Sequence, residues 1–139
     1  LDDRREAQAE AMRAALRRAL IAEPDLRVTL FAALPEQPFG EESAPELAHG
    51  QQTAALIALR HWAAPLRLPA DKLRTHVAFG SDTAGLLLDY AATHHADRIV
   101  VGARGHSALR RFLGSVSARV VAEADCSVTV VRSSGERTL

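Results

Sequence analysis

The spacing of apolar residues changes along the chain, and each change marks an element. From residue 3 to residue 22, Ala11, Met12, Ala15, Leu16, Ala19 and Leu20 recur at three- and four-residue intervals, with Arg13, Arg17 and Arg18 opposite them. That is the stripe of an amphipathic helix. Asp2, Asp3 and Glu6 at its start suit the positive end of a helix dipole. Residues 26–34 lose the helical spacing and read as a buried strand. Pro35, Pro38, Gly40 and Pro45 make 35–45 a loop. A second helix is expected over 46–63, with Trp62 anchoring it on the sheet and Pro65 and Pro69 ending it. Residues 74–79 read as a strand.

Ser81 or Asp82 then caps a helix whose inner face is Ala84, Leu87, Leu88, Ala91 and Ala92. Residues 98–101 form a short continuous apolar run, as in strands covered on both faces. An irregular loop over 102–113 leads into a helix over 115–124, with Val116, Val120, Val121 and Ala124 inward. Residues 128–131 are a last buried strand, and the polar residues from Ser133 form a tail. Strands alternate with helices of 10 to 20 residues, which predicts right-handed crossovers and a parallel sheet with helices on both faces. Ligands of such sheets lie beyond the carboxyl ends of the strands, where the loop after Val101 sits.

The 139 residues and 47% apolar content fit one folded domain over 1–132 with a tail over 133–139. Seventeen basic and seventeen acidic residues cancel, so no charge excess points to nucleic acid or to an anionic membrane. No run of 18 apolar residues is present to span a bilayer. The single cysteine, Cys126, can form no internal disulfide and fits a reducing, cytoplasmic setting. The six histidines lack metal-ligand spacing, so no metal site is expected; the adjacent His94 and His95 point apart on a helix.

The candidate chemistry lies between Arg98 and Arg132. A buried strand runs into Gly102, and Gly105 follows three residues later. These glycines allow a tight path with backbone N–H groups close to a ligand. Gly114 and Ser115 then open a helix, whose first N–H groups favour phosphate. Ser115 and Ser117 add hydroxyls, and Arg104, Arg110 and Arg111 add positive charge. The same residues also fit a plain turn in which Ser115 only caps the helix. No Gly-x4-Gly-Lys loop is present and Lys72 is the only lysine, which excludes a P-loop NTPase. No Gly-x-Gly-x2-Gly unit and no Gly-x-Ser-x-Gly elbow is found, and no residue stands out as a general base.

Gly102, Gly105, Gly114 and Ser115 resemble the Gly-x2-Gly-x9-Gly-Ser/Thr pattern of nucleotide-binding universal stress proteins. The preceding apolar strand and the helix ending in a cysteine before the last strand are similar too. Val77 to Asp82 resembles that family's strand-to-helix turn. The likeness spans nearly the whole chain and is strongest over residues 75–132. It implies an open, mainly parallel, doubly wound α/β sheet of strand order 3-2-1-4-5, of the adenine nucleotide alpha hydrolase-like kind. It also implies a homodimer paired through Val128–Val131. The ligand implied is ATP, or AMP or ADP, with Mg2+ carried on its phosphates. Its site would comprise Ala33 beside adenine and Gly102, Arg104, Gly105, His106, Gly114, Ser115, Val116 and Ser117 around the phosphates.

Two departures stand out. Eight residues rather than nine separate Gly105 from Gly114. The family's first, central strand, which ends in an aspartate, is missing: the chain starts at Leu1-Asp2-Asp3, directly before a helix. The expectation is that the chain is a truncated form of a longer one. Asp2 would then be the remnant of that aspartate on the adenine side, the alternative being a helix-start acid. The function implied is an adenine-nucleotide-binding regulatory stress-response protein with at most slow ATP hydrolysis. The alternatives are a nucleotide-free dimeric interaction module of the same fold, and an ATP-using enzyme.

Overall fold

The computed structural model describes residues 3–36, 44–103 and 114–132. Among the described residues four α-helices and four strands follow the expected alternation: α1 (Asp3–Ala22), β1 (Val28–Leu34), α2 (Ala44–Ala63), β2 (Leu73–Phe79), α3 (Thr83–Thr93), β3 (Arg98–Gly102), α4 (Ser115–Glu123) and β4 (Ser127–Val131). All strand pairing is parallel, as an α/β fold requires. β1 pairs with β2 from Val28↔Leu73 to Leu34↔Phe79, and β3 with β4 from Arg98↔Ser127 to Gly102↔Val131. Among the described residues the strands form two two-stranded sheets, β1-β2 and β3-β4. Among the described residues no strand precedes α1.

The chain divides into two compact units. The first holds residues 1–24 and 87–139, and the second holds residues 25–86. In the second, α2 packs on β2 and β1. Val77 and Ala63 are buried there, and so is Ala84 at the start of α3. Pro45 lies in the first turn of α2 rather than in the preceding loop. A proline is tolerated there because the N–H it lacks would have no helical partner. Asp82 is the cap expected for α3: its Oδ1 accepts from the Gly85 N–H at 3.1 Å. Lys72 Nζ lies 3.7 Å from Asp25 Oδ1, which links the start of β2 to the approach to β1.

In the first unit, α1 lies against β3 and β4. Its stripe from Ala11 to Leu20 is half-buried as expected, while Arg17 and Arg18 are exposed. Arg13 departs from the expected solvent face. Its side chain is 16% exposed and its Nη2 donates to Glu10 Oε2 at 2.6 Å. A long aliphatic stem can lie on the protein while its charged head finds an acid. The Arg13 hydrogen bond, and then its charge, hold the Glu10 carboxyl below its ordinary value. Arg98 Nη2 meets Glu23 Oε2 at 3.0 Å, joining the end of α1 to the start of β3.

The end of α3 gives His94 and His95 a structural role. His95 has φ +56°, its N–H reaches Ala92 O at 3.3 Å, and the Ala96 N–H reaches Ala91 O at 2.9 Å. That is a Schellman stop with a left-handed residue just past the helix. His94 stacks on Tyr90, with ring centroids 3.9 Å apart. On the same helix Ala84 and Ala91 are buried and Leu87 and Leu88 half-buried, but Ala92 is exposed. Ala92 is one residue beyond Ala91 and so turns about 100° off the stripe.

Candidate functional site

The expected phosphate site falls in the first unit, and its described parts are the end of β3 and the start of α4. Gly102 is the last residue of β3. Ala103, next in the chain, is 2% exposed, and its N–H donates to Val131 O at 2.9 Å. Strand pairing therefore runs two residues into the segment expected as loop over 102–113, because Gly102 and Ala103 continue the pairing with β4.

Gly114 is the N-cap of α4, in extended conformation (φ −73°, ψ 175°), with no side-chain cap. A helix that starts this way leaves its first N–H groups unanswered by its own side chains. Ser115 and Val116 occupy the first turn and are both exposed. Ser117 takes a different part from the hydroxyl donor expected of it. It is 2% exposed, and its Oγ donates to Gly114 O at 3.3 Å. Its hydroxyl braces the turn from within, and its backbone N–H remains part of the helix start.

The inward face of α4 also differs from the expectation. Val120 is wholly buried and Ser117 nearly so, but Val116 is 37% and Val121 46% exposed. The packed stripe is Ser117, Val120 and the half-buried Ala124, at spacings of three and four. The apolar count alone favours the valines. The serine displaces them because a buried hydroxyl with a carbonyl partner carries little desolvation cost.

Ala33 lies in the second unit, half-buried near the end of β1 and paired with Ala78. Asp2, Arg104, Gly105 and His106 lie outside the described residues, as do Arg110, Arg111 and the tail over 133–139.

One residue at this place went unnoticed in the sequence. Gln8 of α1 donates from Nε2 to Val131 O at 3.0 Å, next to Gly102. The signal was present but faint. Gln8 stands four residues before Met12 and so continues the buried stripe of α1 with a polar group.

A model of the universal stress protein family matches residues 1–132. Among solved structures, the hypothetical protein MJ0577, a subject of structure-based assignment of biochemical function, matches with a TM-score of 0.72. It is 22% identical, over 95% of this chain and 90% of its own. The universal stress protein UspA from Lactobacillus plantarum matches at a TM-score of 0.69 and 24% identity over 88% of each chain. A universal stress protein from Archaeoglobus fulgidus matches at 0.60 and 19% over 89% of each. Identities this low speak for the fold, while the family match covers nearly every residue of the chain. With its parallel strand pairs and alternating helices, the chain belongs to the universal stress protein family.

Proposed function

We propose that this chain is an adenine-nucleotide-binding regulatory protein of the stress response. The observation that carries the reading is the start of α4, where Gly114 leaves the first turn without a side-chain cap. Such a terminus combines free N–H donors with a partial positive charge, and a phosphate satisfies both. The residues present fit a polyphosphate. The backbone of Gly114, Ser115 and Val116 and the Ser115 hydroxyl would hold it, with the N–H of Ser117 behind them. Gly102, Gly105 and His106 would add backbone donors, and Arg104 would add charge. Mg2+ would arrive on the phosphates and need no protein cage. When bound, the nucleotide supplies a state that a partner can read. Hydrolysis would be slow, because the sequence offers no evident general base.

The same reading makes the protein a cytoplasmic homodimer joined through β4. No described helix is long and apolar enough to cross a membrane. A second reading, a nucleotide-free interaction module, is favoured by the eight-residue spacing between Gly105 and Gly114. One experiment separates them: denature the purified protein and identify any released nucleotide by chromatography and mass spectrometry, then titrate the refolded protein with ATP and Mg2+. Near-stoichiometric ATP or ADP, lost in Gly105→Val, supports the nucleotide reading. Protein that carries none and binds none leaves the interaction module.

A further inference from the structure

We infer that Gln8 is a positioning residue of the nucleotide site, acting through Gly102 and Val131; this rests on the nucleotide reading above. Gly102 does not need to be glycine for its backbone. It lies within a strand and is not among the residues with positive φ. Space is the reason. A Cβ built there would overlap Gln8 Nε2 and stand 3.1 Å from Gln8 Cδ. The carboxamide of α1 thus occupies the place where a residue at 102 would carry its side chain.

Its orientation is fixed by its partner. A carbonyl can only accept, so the amide nitrogen rather than the oxygen must face Val131. Val131 O receives two donors, Gln8 Nε2 at 3.0 Å and the Ala103 N–H at 2.9 Å. Ala103 is 2% exposed and Val131 8%. One buried carbonyl therefore ties together the end of β4, the first residue after β3 and the first turns of α1. The chain leaves β3 in a direction set by a side chain 94 residues earlier in sequence (102 − 8). Donors for a phosphate must be held within a fraction of an ångström, so a shift at this exit is passed on to the ligand.

The test compares wild type, Gln8→Ala, Gly102→Ala and the double variant. It reads ATP–Mg2+ affinity by calorimetry, Ala103 amide exchange by NMR, and thermal midpoint without nucleotide. Losing one hydrogen bond of ordinary strength should speed Ala103 exchange and weaken ATP binding roughly fivefold to tenfold in Gln8→Ala, with a small change in midpoint. Gly102→Ala should be harmful with Gln8 present and nearly harmless once Gln8 is alanine. Gln8→Glu keeps the size but sets an acceptor against the carbonyl, and it should act like Gln8→Ala. If Gly102→Ala costs the same in both backgrounds, or if wild type and Gln8→Ala bind ATP equally well, this inference is overturned and the nucleotide reading stands. If wild type binds no ATP, the nucleotide reading falls and the positioning role with it.

Discussion

Val120 has no exposed surface, while Val121 beside it is 46% exposed. Two identical side chains one residue apart should therefore respond differently to change. Val120→Ala should lower unfolding free energy by about 2 kcal/mol, the scale of deleting buried methyl groups and leaving a gap. Val121→Lys should stay within about 0.5 kcal/mol, as exposed substitutions do. Chemical denaturation of the two variants checks both. Gly114 offers a sharper separation of fold from ligand. Its extended backbone accommodates an aspartate, whose carboxylate would cap α4 from within. Gly114→Asp should hold or slightly raise stability, by about a few tenths of a kcal/mol. If ATP binds as proposed, the substitution should also abolish that binding, since a built-in anion would take the donors at the helix start. Calorimetry with ATP and a melting curve together would show it, and unchanged ATP affinity would count against the helix start as the site.

Among the elements, α3 carries an adjustable end. His95 holds a left-handed conformation in which a side chain crowds the backbone. His95→Gly should relieve that crowding and stabilise by about 0.5–1 kcal/mol after allowing for the more flexible unfolded chain. Thermal melting would register it, and a loss of stability would mean that the His94–His95 pair does more than stop a helix. The elements were largely legible in the sequence because period and punctuation agree. The stripe of α1, the prolines after α2 and the Asp82 cap each place a boundary within about two residues. What was not legible depended on polar groups satisfied in three dimensions. Ser117 is buried with its hydroxyl on Gly114 O, and the Arg13 side chain is 16% exposed with its guanidinium on Glu10 one turn away. Neither partner can be inferred from an apolar count. The start of α4 after Gly114 was readable from glycine and serine alone, but the hold of Gln8 on Gly102 was not, since it joins residues far apart in sequence.

For the whole molecule, each unit holds one parallel strand pair among the described residues, and the subunit contact proposed above would run through the last strand, β4. Val131 points its carbonyl at the β3 side, where Ala103 donates to it. Backbone groups alternate sides along a strand, so Thr129 faces β3 as well, while Val128 and Val130 point to the other edge. If two copies pair through that edge, Val128→Pro removes an outward donor without taking one from the pairing with β3. A two-fold interface loses the bond twice, so dimerisation should weaken roughly tenfold to a hundredfold. Sedimentation equilibrium would measure it. A wild-type monomer, or an unaffected dimer, would remove β4 as the interface.

The carbonyl of Val131 has a use beyond its role as a tie point. A C=O group that accepts two donors is drawn toward single-bond character, so it should vibrate at a lower frequency than its singly bonded neighbours. A carbon-13, oxygen-18 label at Val131 would move its infrared band clear of the rest of the amide envelope. The position of that band would then report, in intact protein and in real time, whether α1 is still fastened to the strand ends as ligand is added.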